Sequence, residues 1–330
     1  MQRVFDGHND ALTREGFNAR AFAGGGDGHL DLPKMRAGGI AGGIFAVFTP
    51  APGDDWTAVP APPVSHSDAA AHASAAAGRL LALEHAGHLR IARRAGDLDG
   101  PELPLAVLHL EGAEAIDPGL EALEFWHAAG LRSLGPVWSR SNAFGHGVPF
   151  ISPSSPDTGP GLTPAGFELV RACASLGILV DVSHLNEGGF WDLARLELGP
   201  LVASHSAAHA LCPTSRNLTD AQLDAIGASN GLVGIVFATP FLRPDFADDP
   251  DTPVELIATH ARYVADRIGV AHVALGSDFD GATIPAAVGD ASGMPAVLAA
   301  LRAAGFTPAE IEAIAWANWR RVLGAWWGAT

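Results

Sequence analysis

Short apolar runs alternate with stretches of helical spacing along the whole chain, and this alternation limits what the chain can fold into. Strands are predicted at Arg3–Gly7, Ile40–Phe48, Leu105–Leu110, Leu131–Val137, Ile178–Ser183, Leu201–Ser204, Leu232–Phe237 and Val273–Gly276. Helices are predicted at His66–His88, Pro118–Ala129, Thr163–Leu176, Gly188–Glu197, Asp220–Gly227 and Pro253–Ile268, and in the tail at Met294–Ala303 and Thr307–Trp327, because apolar residues recur there three and four apart. Strands separated by helices pair in parallel, since a parallel neighbour needs a long crossover. Eight predicted strands in 330 residues argue for an α/β fold closed into a (β/α)8 TIM barrel, one domain over 1–330. An open doubly wound sheet is the alternative. It lacks its usual companion here, because no GxGxxG follows a predicted strand. Thr49–Val64, rich in Pro and Asp, and the glycine-rich Gly24–Gly28 read as loops. Trp138–Leu162, after the fourth strand, has no periodicity and is full of Gly, Pro, Ser and Asn. A segment of that length inside a compact domain is usually functional.

The carboxyl ends of the predicted strands carry His and acidic residues, and barrel enzymes place their chemistry at those ends. The first strand ends in His8-Asn-Asp10, the third in His109-Leu-Glu111, the fifth in Asp181-Val-Ser-His184, the sixth in Ser204-His205 and the eighth in Asp278-Phe-Asp280. In a strand, residues two apart point the same way. His8 and Asp10 can therefore aim a nitrogen and a hard oxygen at one point, a pairing that suits a divalent metal. By the same parity His184 continues the face of Val180 and Val182, and His205 that of Leu201 and Ala203. His109 and Glu111 share one face, so parity leaves open which of them is a ligand. Any one of these histidines alone would read as a satisfied core residue; several at one rim point to a metal.

Charge and composition remove other classes. The net charge is −16, the reverse of what a nucleic-acid binder needs. No apolar run approaches a membrane span, and the first ten residues lack a signal-peptide core, so the expected location is the cytoplasm unless a leader has been removed. Cys173 and Cys212 have no metal-finger or CxxC spacing and read as buried free thiols.

The motifs Asp6-Gly-His-Asn-Asp10, Leu110-Glu-Gly112, Asp181-Val-Ser-His184, Ser204-His-Ser206 with Leu211-Cys-Pro213 and Arg216-Asn217, and Gly276-Ser-Asp-Phe-Asp-Gly281 resemble those of the membrane (renal) dipeptidase family of amidohydrolase-like metal barrels. The resemblance runs from Val4 to about Leu323 and includes the tail Asn318-Trp-Arg-Arg-Val322. It implies two zinc ions: His8, Asp10 and Glu111 hold one, and Glu111 bridges to a second held by His184 and His205. Between two dications a shared carboxylate offsets their repulsion. The implied reaction is attack on a peptide carbonyl by a hydroxide bridging the metals, with Asp278 moving the proton to the leaving amine. Arg216 is implied to grip the terminal carboxylate, as a planar guanidinium suits. The expected substrates are small dipeptides, L,L and, by the family's tolerance, L,D. A homodimer is expected by analogy only.

Two positions depart from the family pattern. Trp138 stands where the family carries a histidine that contacts the substrate carbonyl; it remains a substrate-binding candidate, though an indole donates one hydrogen bond and carries no proton. His146, in the segment after the fourth strand, is a candidate to supply the missing imidazole. His209 stands where relatives often have arginine. Other readings are a hydrolase of the same barrel type acting on N-acyl amino acids or a related amide or lactone, and a non-catalytic binding protein.

Overall fold

A computed structural model of the chain describes residues 2–50, 61–100 and 103–328. The elements run β1 (Val4–Asn9), α1 (Ala19–Gly24), α2 (Leu32–Gly38), β2 (Ile40–Phe48), α3 (His66–His85), β3 (Arg90–Ile91), β4 (Leu105–Glu111), α4 (Glu121–Ala129) and β5 (Leu131–Gly135). They continue α5 (Pro164–Ser175), β6 (Leu179–Val180), α6 (Glu187–Leu196), β7 (Val202–Ser206), α7 (Asp220–Ala228), β8 (Leu232–Ile235), α8 (Thr239–Leu242), α9 (Glu255–Ile268), β9 (Val273–Leu275), α10 (Met294–Ala303), α11 (Pro308–Glu312) and α12 (Asn318–Trp327).

Every strand pair among the described residues is parallel, as the alternation requires. One sheet has the order β1-β2-β4-β5-β6, with β3 pairing only Leu105 and Ala106 at the start of β4; a second has the order β7-β8-β9. Single parallel bridges join the two, Asp181 to Val202 on one side and Asn9 to Phe279 on the other. The result is an α/β domain built on a curled parallel sheet with helices outside it. A side chain at Gly7 on β1, Gly234 on β8 or Gly276 after β9 would strike the carbonyl of Ser204 on β7, so these strands approach one another as closely as backbone allows.

The helices start where their caps stand. Thr163 accepts from Gly166 N–H with Pro164 next, and Thr219 with Gln222 and Thr307 with Glu310 form reciprocal capping boxes. The tail motif has a structural use: Asn318 donates to the carbonyls of Val270 and Val273 at 2.8 Å each, and Trp319, fully buried, donates to Leu275 O at 3.0 Å. Truncating such a buried indole costs about 3–5 kcal/mol.

Several expectations need correction. The strand expected over Ile178–Ser183 is only Leu179–Val180, because the Asp181 carboxylate accepts the N–H of Ser183 two residues on and turns the chain. His184 therefore does not continue the face of Val180 by strand parity; it sits at φ +66°. The tail helix expected over Thr307–Trp327 is interrupted by a π-helical turn at Ala313–Ala317. Strand β3 and the short helices α1, α2 and α8 were not expected from the sequence pattern. Trp138–Leu162 is irregular as expected, whereas the expected loop Thr49–Val64 falls mostly outside the described residues. No helix among the described residues is long and apolar enough to cross a membrane.

Candidate metal centre and the cavity above it

The ends of β1 and β9 are laced together, and this sets two carboxylates side by side. Asp278 N–H donates to His8 O at 3.0 Å and Asp10 N–H to Phe279 O at 2.8 Å. Below them, buried Asp6 accepts the N–H and hydroxyl of Ser277 at 2.8 and 2.9 Å. Asp278 and Asp280 adopt φ +63° and +68°, which turns their side chains away from an extended path. A left-handed backbone is uncommon outside glycine, although Asp and His tolerate it best.

Three imidazoles converge on one carboxylate oxygen. The Nε2 atoms of His8, His184 and His205 lie 3.4, 3.0 and 3.4 Å from Glu111 Oε1. His8 Nε2 is also 3.4 Å from Asp10 Oδ2, and the Nε2 atoms of His184 and His205 are 2.9 Å apart. Ligand-capable atoms gather in three sets: Glu111, His184 and His205; His8, Asp10 and Asp278; and His8, Asp181 and His205. All five residues expected as metal ligands are buried and meet here.

The electrostatics ask for a cation. Burial opposes charge on His8, yet Glu111, Asp10 and Asp278 outweigh it and push His8 up to about 10. Burial pushes Asp278 up to about 7, aided by the Asp10 carboxylate and opposed by His8 and Arg216. It also raises Glu111 well above its ordinary value. His184 and His205 are driven far down, first by burial, then by Arg216 and His8. Both ring nitrogens of His8 and Asp10 Oδ1 are buried without a hydrogen-bond partner. Buried orphan polar atoms are costly, and nitrogen and carboxylate donors facing one another fit divalent zinc.

Outer hydrogen bonds hold two of the rings. Asp181 Oδ1 accepts Ser183 N–H at 3.0 Å and Ser204 N–H at 2.9 Å, and its Oδ2 accepts the Ser204 hydroxyl. A carboxylate only accepts, so the Ser204 proton points to Asp181 and its oxygen lone pair faces His205 Nδ1, 2.8 Å away. Nδ1 then carries the ring proton and Nε2 keeps its lone pair toward Glu111. Ser139 Oγ lies 2.8 Å from His184 Nδ1. Neither Asp181 nor Ser139 was picked out from sequence; Asp181 lay within the Asp-Val-Ser-His motif that marked His184. His109, the rival to Glu111, bonds Ser133 Oγ through Nδ1 at 2.9 Å, and its Nε2 is 3.9 Å from Asp181.

Above the centre opens a cavity of about 1090 Å³ lined by Asp10, Glu111, Trp138, His184 and Asp278, among others. Trp138 is 8% exposed and stacks on His184 with ring centroids 5.7 Å apart. Arg216 is buried beside His184 in a small adjoining cavity; one N–H donates to His205 O at 2.8 Å and Nε has no partner. Asp280 accepts the N–H groups of His29 and Leu30 at 2.7 and 3.1 Å and so fastens that loop. His146 is not among the residues found to line the cavity, and its ring bonds Ser141 at 3.0 Å. His209 bonds Ser154 O at 2.9 Å and so ties down the segment after β5.

Comparison with known proteins agrees with this geometry. The family pattern of membrane dipeptidase, peptidase family M19, matches residues 1–326. An uncharacterised protein from the pqqA 5′ region of Klebsiella pneumoniae is 46% identical over 76% of this chain and 93% of its own length. Dipeptidase tcpJ of Claviceps purpurea is 29% identical over 90% of this chain and 69% of its own. Among solved structures, a metallo peptidase described as dipeptidase AC is 47% identical, with a TM-score of 0.93 and 99% of each chain covered. A metallo peptidase from Rhodobacter sphaeroides, liganded with a phosphinate mimic of the dipeptide L-Ala-D-Ala, is 46% identical, with a TM-score of 0.93 over 98% of this chain and 99% of that one. The chain belongs to the membrane dipeptidase family, peptidase family M19, and is a metallopeptidase.

Proposed function

We propose that the chain is a dinuclear zinc dipeptidase that hydrolyses small dipeptides, L,L and L,D. The observation that carries this is the approach of three imidazole Nε2 atoms to Glu111 Oε1, with Asp10 and Asp278 beside them. His8, Asp10 and Glu111 would hold one ion, and Glu111, His184 and His205 the other. The bridges from Asp181 to Val202 and from Asn9 to Phe279 support reading the curled sheet as a closed (β/α)8 barrel that sets these residues at one rim.

When bound, zinc supplies Lewis acidity toward the peptide carbonyl and lowers the pKa of water to near neutrality. The side chains do the rest. Asp278, beside His8 and Asp10, would take the attacking water's proton and deliver it to the leaving amine nitrogen. Arg216, with an unpartnered Nε–H beside His184, binds the substrate's terminal carboxylate and so limits substrates to one residue beyond the scissile bond. Trp138, which lines the cavity and stacks on His184, would contact the substrate. The R. sphaeroides protein's dipeptide mimic supports this substrate class.

The test is a kinetic screen of L,L and L,D dipeptides and N-acyl amino acids on zinc-loaded protein, with zinc counted per chain. Dipeptide turnover with two ions bound is expected. Cleavage confined to N-acyl amino acids, or less than one ion bound, would overturn the reading.

A further inference from the structure

The cavity has one aromatic wall whose purpose the hydrolytic chemistry leaves unexplained. Phe48 packs on Trp138 at 4.9 Å, Trp138 on Phe150 at 5.4 Å, and Phe150 on Phe241 at 5.4 Å between ring centroids. All four line the cavity. They come from the end of β2, the segments after β5, and α8, so the fold assembles the wall from three separate places. Phe241 and Phe150 belong to a small apolar cluster with Ala207, Val236 and Ala238, apart from the main core. The wall is thus backed by packing and is not a chance exposure.

Two guanidinium groups decide what the wall accepts. Arg140 lies 5.2 Å from the Phe48 ring and 5.3 Å from the Trp138 ring, and Arg216 lies 5.7 Å from the Phe241 ring. Arg140 is itself buried and fixed by Glu114 at 2.9 Å. Arg140, its charge offset by Glu114, and Arg216 already lie against three of these rings, so the wall does not itself call for a further cation. The rings offer a carboxylate no donor apart from the one indole N–H. Four rings packed in series offer most to a neutral apolar group.

Charge also orients the substrate. Arg216 stands beside His184 and Phe241 in the small adjoining cavity, whereas the carboxylates of Asp10 and Asp278 stand beside the metal centre at the ends of β1 and β9; Glu15 and Asp248 also line the main cavity, and Asp280 is engaged by Arg14. A dipeptide is a zwitterion. Its carboxylate lies toward Arg216 and its ammonium toward the acidic side, which brings the carboxyl-terminal residue under the aromatic wall. We infer that Phe48, Trp138, Phe150 and Phe241 form a subsite for a large apolar side chain on the carboxyl-terminal residue, with Trp138 its specificity-determining member. The inference rests on the dipeptidase reading for the identity of the substrate.

The experiment compares kcat/KM for L-Ala-Xaa with Xaa glycine, leucine, phenylalanine or lysine, in each configuration, on zinc-loaded wild type, Trp138→Ala and Phe48→Ala. Calorimetric binding of phosphinate mimics of Ala-Leu and Ala-Gly runs alongside. A hydrophobic pocket discriminates by about tenfold or more for such size differences, so leucine and phenylalanine should exceed glycine by at least that factor, and lysine should trail them. Both variants should cut the leucine-to-glycine ratio to a few-fold. Phe48→Ala guards against loss of metal in Trp138→Ala, whose ring leans on His184. A wild type that favours glycine or lysine, or a leucine-to-glycine ratio intact in both variants, overturns the subsite. If no dipeptide is cleaved while the mimics still bind in the leucine-first order, the dipeptidase reading fails and the subsite stands.

Discussion

Asp181→Asn tests the site most sharply, because one atom changes and the proton positions follow. In the native protein Oδ1 accepts two backbone N–H groups, from Ser183 and Ser204, and Oδ2 accepts the Ser204 hydroxyl. An asparagine that keeps its oxygen on the two N–H groups puts its NH2 where Oδ2 was. The opposite flip would face an NH2 against two N–H donors, so it is disfavoured. The Ser204 hydroxyl then accepts from the amide, and its own proton turns to His205 Nδ1, 2.8 Å away, in preference to Ser183 Oγ at 3.4 Å. Nδ1 becomes the acceptor and the ring proton moves to Nε2, the atom 3.4 Å from Glu111. A protonated Nε2 cannot bind a metal. Restoring the lone pair means leaving one buried donor or acceptor unsatisfied, which costs about 1–3 kcal/mol, or roughly 5- to 150-fold in binding. Outer-sphere changes at metal histidines typically cost about 10- to 100-fold, in the same range. The assay has two parts: nitrogen NMR of labelled histidine in metal-free protein, and zinc affinity by chelator competition. The expected results are an Nδ1–H tautomer of His205 in wild type, Nε2–H in the variant, and zinc held at least tenfold more weakly. An unchanged tautomer with affinity within twofold would refute the reasoning.

Asp278→Asn should retain zinc, since the carboxylate is assigned to proton transfer, while kcat falls by about 10²- to 10⁴-fold; loss of both ions on metal analysis would contradict that role. His260 accepts Ala208 N–H at 3.1 Å and bonds Leu242 O at 3.1 Å, and burial holds it down at about 4. An unfolded histidine titrates near 6.5, so between those values the unfolded chain binds a proton that the folded one refuses. Stability from this group is therefore full above about pH 6.5 and is lost as pH falls toward 4, by about 3 kcal/mol. Urea unfolding of wild type and His260→Gln should show a steeper pH slope in wild type; equal slopes would exclude the effect. Removal of zinc should lower Tm, because ligand at 100 times its Kd stabilises by about 2.7 kcal/mol per ion; calorimetry showing equal Tm with and without chelator would argue against a built metal site.

Which parts of this site can be read from sequence follows from where its information lies. His8, Asp10, Glu111, His184 and His205 are legible because each stands at the end of an apolar run, and a parallel sheet gathers such ends at one rim. Parity leaves Glu111 and His109 on one face; only the pairing of β4 with β5 shows that His109 lies opposite Ser133 and bonds it, while Glu111 meets the three imidazoles. His184 shows the limit more clearly. Alternation points it inward as if the strand ran on, yet the strand stops at Val180 and the ring arrives through a left-handed turn made by Asp181. Asp181 itself closes three hydrogen bonds, two of them to Ser204, 23 residues away. That pairing depends on how β6 lies against β7, which no periodicity in either segment encodes. The wall of Phe48, Trp138, Phe150 and Phe241 is hidden for the same reason, since its members share no spacing. Two of the candidate site residues, His184 and Asp278, stand where local rules break, at positive φ without being glycine. Such backbone persists only where the surroundings over-determine it, and here those surroundings are the laced ends of β1, β6, β7 and β9 that also aim the candidate ligands.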